Sequence, residues 1–241
     1  MSNLEAKKIA PATGTTVTLG AAGDAVTVAA SALKTNTIKD AGGNTIFTSD
    51  GSGTLSSVNS ALKGGLNFIS SQTASGSATL SFTSGIDSTY KEYIFFFNAI
   101  NSATDNVNFE FQGNVSGQSG YNETMTTTLF RAQHNEADTD AEVGYVRSQD
   151  QAQGTAFQLL GGGLGNGADE CLAGELHLFN PSSTTNIKNF FHRGVVYGES
   201  DFAQDDYIAG YFNVTAAITQ IQFKMSSGNI DAGIIQMYGV L

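Results

Sequence analysis

The sequence has one cysteine, two prolines and no tryptophan among its 241 residues, and it has no long apolar run. The lone cysteine, Cys171, excludes an intrachain disulfide, so the fold does not depend on an oxidising compartment. The longest apolar run, Tyr93–Phe97, is far too short to cross a bilayer. The first residues lack the apolar core of a secretory signal. We therefore expect synthesis in a cytoplasm and no membrane insertion.

Basic residues are also scarce. The chain has 11 lysines and arginines against 22 aspartates and glutamates, a net charge of −11. The imbalance lies in residues 63–241, with seven basic and eighteen acidic side chains, whereas residues 1–60 hold four of each. An acidic surface repels phosphates, and no basic patch is interleaved with aromatic residues. Nucleic acid is not an expected partner.

Helical periodicity is missing as well, because no stretch keeps the i, i+3, i+4 apolar pattern for more than two turns. The 28 glycines and many short polar residues are typical of a β protein rich in turns. Apolar and polar residues alternate in several runs, and period-two strands with one wet face belong to antiparallel sheets. Residues 63–241 are therefore predicted to form an antiparallel, jelly-roll-like β-sandwich. The predicted strands are 78–83, 93–100, 107–113, 125–134, 155–160, 174–180, 187–197, 207–213, 219–225 and 230–238.

The first sixty residues have too few large apolar side chains for a core of their own. Between Gly14 and Leu62 only eleven occur, in short β-prone runs cut by glycine. Burying them cannot offset the entropy lost on ordering the segment. The segment is either disordered or folds against copies of itself. Its low charge and its reversal signals at Gly42–Asn44 and Asp50–Gly53 favour the second alternative.

Three chains that pool these thin apolar faces on one axis would form an intertwined β-stalk. The whole chain is then predicted to be all-β, with this N-terminal stalk followed by the sandwich. We expect residues 1–12 to anchor the chain, residues 13–62 to form a trimeric shaft and residues 63–241 to form a head. The candidates for the trimer axis are Val17, Leu19, Val26, Val28, Ile38, Ile46 and Leu55.

One acidic run raises the question of a metal. The carboxylates of Glu136, Asp138, Asp140 and Glu142 alternate along the chain, and such groups can converge on Ca²⁺ when a loop curls around it. The run lacks the glycine and the distal glutamate of an EF-hand loop, so a solvated loop is the favoured interpretation. A second acidic cluster is interpreted in the same way, and it contains Glu199, Asp201, Asp205 and Asp206. Both acidic loops are placed where they can share one end of the sandwich.

Catalytic signatures are absent from the sequence. There is no nucleophile elbow, and the glycine-rich run Gly161–Gly165 has neither the lysine nor the strand–helix context of a phosphate loop. His177 lies beside Glu175 on the polar side of a predicted strand, where a hydrogen-bonded structural role is expected. We therefore expect no enzyme activity, no cofactor and no resident metal.

Several passages resemble structural proteins of marine tailed phages, especially cyanophages. The passage Leu33–Val58 resembles their shaft. Phe82–Tyr90, Gly174–Ser183 with its Glu-Leu-His-Leu-Phe-Asn-Pro motif, and the closing Met237–Leu241 resemble the head domain that follows it. The resemblance covers nearly the whole chain and implies a virion appendage. It supplies no catalytic residues.

These observations together predict a homotrimeric tail fibre, assembled in the host cytoplasm into the virion. Its N-terminus would contact other virion proteins, and loops of its head would contact a glycan or protein of the host surface. A capsid-attached fibre or decoration trimer without a receptor role is the main alternative. A glycan-degrading enzyme would need paired carboxylates about 5–10 Å apart in a groove. A cellular glycan-binding module usually presents tryptophan, which this chain lacks.

Overall fold

The computed structural model divides the chain into two compact units, Met1–Leu62 and Lys63–Leu241. It describes residues 35–58 and 65–240. The predicted anchor at residues 1–12 lies outside the described residues, as do four axis candidates: Val17, Leu19, Val26 and Val28. Every sheet in the described part of the chain is antiparallel, which confirms the all-β class.

The first unit contains a three-stranded sheet made of β1 (Thr37–Lys39), β2 (Thr45–Ser49) and β3 (Leu55–Val58). Its two turns are built alike. The carboxylates of Asp40 and Asp50 each accept the backbone N–H of the residue four positions later, at 2.8 and 3.1 Å. The fourth residue of each turn is a glycine with positive φ, 84° at Gly43 and 96° at Gly53, a conformation that costs glycine little. Both turns fall at predicted reversal signals.

This small sheet has no core of its own. None of the side chains whose burial is described in residues 35–58 is buried. Ile38 lies opposite Phe47, and Phe47 opposite Val58, so these three share one face. Ile46 points to the other face because successive strand residues alternate, and Leu55 is 52% exposed. The axis candidates Ile38 and Ile46 therefore lie on opposite faces of the sheet, and Phe47 and Val58 are the neighbours of Ile38.

The second unit holds thirteen strands in its described residues. They are β4 (Leu66–Thr73), β5 (Leu80–Phe82), β6 (Glu92–Ser102), β7 (Val107–Val115), β8 (Met125–Asn135), β9 (Ala141–Tyr145), β10 (Ala152–Gly154), β11 (Gln158–Leu164), β12 (Cys171–Phe179), β13 (Lys188–Gly198), β14 (Phe202–Phe212), β15 (Ile218–Met225) and β16 (Ile230–Val240). The larger sheet has the order β10-β8-β14-β13-β12-β6-β16-β4, with β9 also paired to β8. The smaller sheet has the order β11-β7-β15-β5.

Eight of these strands have the connectivity of a jelly roll. Numbered in chain order, β4, β5, β6, β7, β11, β12, β15 and β16 are strands one to eight. In the larger sheet they run 1-8-3-6 and in the smaller sheet 2-7-4-5. First pairs with eighth, second with seventh, third with sixth and fourth with fifth, as in a long hairpin rolled into two sheets. The predicted jelly-roll-like sandwich is confirmed.

Two insertions widen the larger sheet. The strands β8, β9 and β10 enter between β7 and β11, and β13 and β14 enter between β12 and β15. They continue the sheet beyond β12 in the order β13, β14, β8. The result is a broad outer face on a narrow jelly roll, and this face carries the candidate site.

Aromatic rings fill the space between the two sheets. Phe223 on β15 has its ring centroid 5.5 Å from that of Phe95 and 5.3 Å from that of Phe97, both on β6 of the opposite sheet. Phe109 on β7 stacks on Phe223 at 5.8 Å, and all four rings are buried. Such ring pairs contribute about 0.5–1.5 kcal/mol each beyond the area they bury. These ring contacts hold one face of the larger sheet against the core, and the opposite face points away from it.

The inserted strands turn polar side chains inward. Asp206 on β14 is fully buried and accepts two hydrogen bonds from Arg131 on β8, at 2.6 and 3.0 Å. The buried ring of His192 on β13 donates from Nδ1 to the carbonyl oxygen of Glu175 at 2.8 Å. These pairs tie β8, β14, β13 and β12 into one layer behind the outer face.

Candidate functional site

The outer face of the larger sheet exposes many large apolar side chains. Those most exposed there are Leu66, Phe68, Phe130, Val143, Tyr145, Phe191, Val195 and Ile234. Scattered single apolar residues are normal on a protein surface, but a contiguous patch marks an interaction site. These side chains lie on strands of one sheet and so form such a patch.

A first line of side chains crosses five strands. Phe96 on β6 lies opposite Glu175 on β12, Glu175 opposite Arg193 on β13, Arg193 opposite Tyr207 on β14, and Tyr207 opposite Phe130 on β8. The rings of Tyr207 and Phe130 stack with centroids 4.6 Å apart and planes 6° apart. The guanidinium carbon of Arg193 lies 4.9 Å from the centroid of Tyr207. Arg193, Tyr207 and Phe130 therefore form a continuous stack of side chains across three strands.

Asp205 fixes the direction of the Arg193 side chain. Nε and Nη2 of Arg193 donate to the two carboxylate oxygens of Asp205, at 3.1 and 2.8 Å. Hydrogen bonding to Asp205 raises the pKa of Arg193, and the same bonds lower the pKa of Asp205. Both groups are therefore ionised at neutral pH, and two of the five N–H donors of Arg193 are used.

A second line runs parallel to the first, one row along the strands. It contains His177 on β12, Phe191 on β13, Ala209 on β14 and Thr128 on β8, each opposite the next. The rings of His177 and Phe191 stack at 4.3 Å and 15°. Nδ1 of His177 is 2.5 Å from a carboxylate oxygen of Glu92. Phe191 is thus backed on one side and open on the other.

The short side chains of Ala209 and Thr128 leave a hollow between these bulky residues. This hollow, which we call the Phe191 groove, measures about 330 Å³ and is bordered by Phe191, Phe130 and Tyr207. A second hollow of about 320 Å³ shares Ala209 and Thr128 and ends at Tyr211. The groove lies at the centre of the widened part of the sheet.

The charge around the groove is negative overall. Glu175 and Arg193 border the groove, Asp205 is paired with Arg193, and Glu92 contacts His177 on the same outer face. His177 lies between Glu92 and Glu175, with Nε2 3.4 Å from a carboxylate oxygen of Glu175. The predicted structural role of His177 agrees with these contacts. An anionic ligand is disfavoured here by simple repulsion.

The acidic run weighed as a calcium loop, and interpreted as a solvated one, lies at the β8–β9 turn. The side chains of Glu136, Asp138, Asp140 and Glu142 are all exposed. Asp138 contacts His134 at 3.1 Å, and the turn is closed by backbone N–H groups bound to the side chain of Asn135 rather than by a cation site. In residues 35–58 and 65–240 no three acidic, histidine or cysteine side chains gather as a metal site would require.

The second acidic cluster is not one loop, and that interpretation is corrected. Asp205 and Asp206 lie within β14, where they point to opposite faces, one paired with Arg193 and the other buried with Arg131. Glu199 and Asp201 do form the β13–β14 turn. The backbone carbonyl of Asp201 accepts the N–H of Glu136 at 3.0 Å, so the two acidic turns do share one end of the sandwich. Hydrogen bonding to Asp201 and the nearby acidic charge raise the pKa of Tyr197 to about 12.

The residues that build the Phe191 groove were not predicted from the sequence. One signal was present, since β13 carries large apolar residues on both faces, Phe190 and Val196 on one and Phe191 and Val195 on the other, and this pattern is typical of a strand covered on both faces. The pairing that places Ala209 beside Phe191 depends on register and cannot be seen in the sequence. In the apolar run Tyr93–Phe97, the outward residue Ile94 is buried and the outward residue Phe96 is half-buried.

No family model, no curated protein and no solved structure matches this chain. Among the described residues, no helix is long and apolar enough to cross a membrane.

Proposed function

We propose that this chain is the subunit of a homotrimeric phage tail fibre whose jelly-roll head contacts the host cell surface. The observation that carries the proposal is the sheet β1–β3, which has strands and ordered turns yet no described buried side chain. A segment of this kind is stable when copies supply the missing core. The face formed by Ile38, Phe47 and Val58 is the surface assigned to meet the axis.

The head supports the second half of the proposal. It has a compact aromatic core and a broad outer face with exposed aromatic rings, which suits contact with an external partner. Three such faces on one trimer would add avidity to a weak single contact. No catalytic role is assigned to any residue, in keeping with a binding and structural function.

A capsid-attached fibre or decoration trimer is the second candidate. It would have the same shaft and head, and its outer face would contact the shell or nothing. Labelling intact particles with antibodies against the head and viewing them by electron microscopy separates the two. Label at the tail supports a tail fibre, and label over the capsid supports the alternative.

The oligomer is tested by light scattering behind a sizing column. Three chains of 25.2 kDa give a mass of about 76 kDa. We expect that mass for the wild type and dissociation to 25.2 kDa for Phe47→Asp, because a carboxylate on the axis lacks a partner. Ala41→Asp is the matched control, since Ala41 is exposed in the β1–β2 turn. A folded wild-type monomer at micromolar concentration contradicts the proposal.

Host contact is tested separately by competition. Purified protein is mixed with susceptible cells before phage is added, and free phage is counted. A fall in adsorption with rising protein concentration is the expected result. Unchanged adsorption at a concentration that saturates the cells would remove the receptor role and leave the decoration trimer.

A further inference from the structure

The geometry points to a specific ligand class: we propose that the Phe191 groove binds one pyranose ring of a neutral glycan. The inference rests on the proposed function for the source of the glycan, which is the host surface. It places the contact on the face of the larger sheet, whereas the sequence placed it on the loops of the head.

The ring of Phe191 has one open face. His177 lies opposite Phe191 on one neighbouring strand, and Ala209 lies opposite it on the other. Because His177 covers one face of the ring at 4.3 Å, the other face turns toward Ala209 and the groove. Phe191 remains 38% exposed. The face of an aromatic ring is electronegative and attracts the C–H groups of one side of a sugar ring.

The Phe191 groove also has a polar edge. Arg193 and Glu175 both border it, one a donor of N–H groups and the other an acceptor. Arg193 is held by Asp205 and Tyr207, so its direction is fixed before a ligand arrives. A pyranose carries hydroxyl groups around its rim, each able to donate and accept. The groove thus offers an apolar wall, the preorganised donor Arg193 and the acceptor Glu175, and this combination suits that chemistry.

The volume of the Phe191 groove fits a single sugar ring. The groove measures about 330 Å³, at the lower end of the range of about 300–1,000 Å³ for small-molecule sites. This space accommodates one ring rather than a long oligosaccharide. The second hollow, which ends at Tyr211 and shares the same floor, offers room for a neighbouring ring of the chain.

Charge excludes other occupants. Nucleic acid also stacks on aromatic rings, but Glu92, Glu175 and Asp205 oppose its phosphates, as does the net charge of −11. Acidic sugars are disfavoured for the same reason. A second copy laid face to face would bring two sets of these carboxylates together. A neutral glycan meets none of these penalties.

The test uses the full-length chain and saturation-transfer NMR with methyl glycosides of glucose, galactose, mannose and N-acetylglucosamine. The methyl glycoside of glucuronic acid is the anionic comparison. We expect at least one neutral glycoside to receive saturation, most strongly at its ring C–H protons, and the glucuronide to receive less. Absence of transfer to all four neutral glycosides overturns the proposal.

Variants locate the site. Phe191→Ala is expected to weaken binding at least tenfold, and Ala209→Leu, which fills the floor and leaves the ring stack in place, is expected to abolish it. The matched control is Phe68→Ala on β4, an exposed ring of the same face that lies four strands from Phe191. Circular dichroism and thermal unfolding establish that each variant is folded. Binding that survives both groove variants, or falls equally in the control, contradicts the site.

A further measurement separates this inference from the proposed function. Hydroxyl-radical oxidation of Phe191 in sugar-free protein is expected, and protection would show that another copy covers the groove, which overturns the inference. A trimer that blocks phage adsorption but binds no neutral glycoside retains the fibre and loses the groove. A monomer that binds a glycoside through Phe191 retains the groove and loses the fibre.

Discussion

His192 makes the head sensitive to acid, and replacing it by glutamine should remove part of that sensitivity. The ring is buried between the sheets, 2% exposed, and packs 5.8 Å from the ring of Phe97. Burial lowers its pKa from 6.5 to about 4, against the opposing hydrogen bond to the carbonyl of Glu175 and the charge of Asp205. In the unfolded chain the ring takes up a proton near pH 6.5, whereas the folded head resists it down to about pH 4.

The sign and size of the effect follow from this difference. Because the folded pKa is the lower one, the contribution of His192 to stability is complete above pH 6.5 and is lost as the pH falls toward 4. A shift from 6.5 to about 4 corresponds to about 3 kcal/mol at about 1.36 kcal/mol per unit. About 2.5 kcal/mol of this should be lost between pH 7.5 and pH 4.5.

The assay is urea unfolding at those two pH values and at one fixed protein concentration, because the stability of an oligomer depends on concentration. Wild type should lose about 2.5 kcal/mol more than His192→Gln on going to the lower pH. The control is His134→Gln, since the side chain of His134 is 54% exposed and stays largely in water in the folded head. Equal losses in wild type and His192→Gln would refute the reasoning, because the acid sensitivity would then belong to other groups.

Two further predictions concern the same sheet. Asp206→Asn should lower the free energy of unfolding by about 3–5 kcal/mol because it leaves the Arg131 guanidinium without its buried carboxylate. Asp205→Asn, at a surface pair, should lower it by less than about 1 kcal/mol. Urea unfolding at neutral pH checks both values, and equal losses would contradict the difference in burial. Gly174→Ala should destabilise the head by about 1–3 kcal/mol, since the added carbon would lie 2.5 Å from a backbone carbonyl oxygen of β13, whereas Gly144→Ala meets nothing within 4 Å and should be neutral. Similar melting temperatures for the two alanine variants would contradict the contact.

The sequence predicted the strands whose two faces differ most. Leu176 and Leu178 alternate with Glu175 and His177, and β12 forms there because that period places one set in the core. The polar strand β4 was missed because Leu66–Thr73 has few core residues, and it lies at the end of the larger sheet. Short or exposed strands such as β9 and β10 give no periodic signal either.

The start of β14 was missed for a different reason. Asp205 and Asp206 suggested an acidic loop, but each has an arginine partner on a neighbouring strand, and Arg131 is 75 residues from Asp206 in the chain. A charge is buried only where its partner arrives, so long-range pairing decides the outcome. The Phe191 groove has the same origin, since its floor and walls come from three strands whose register sequence patterns do not specify.

The position of β16 in the larger sheet determines when the head can complete its fold. The strand Ile230–Val240 pairs with β4 on one side and β6 on the other, so it is an inner member of the larger sheet. Until it has been synthesised, two strands made more than 120 residues earlier have no partner between them. The head therefore cannot close while its own sequence is still emerging from the ribosome, and the edges of β4 and β6 that face β16 stay unpaired until then. A premature stop before Ile230 would delete this inner strand and is expected to yield aggregating chains rather than a slightly shortened head.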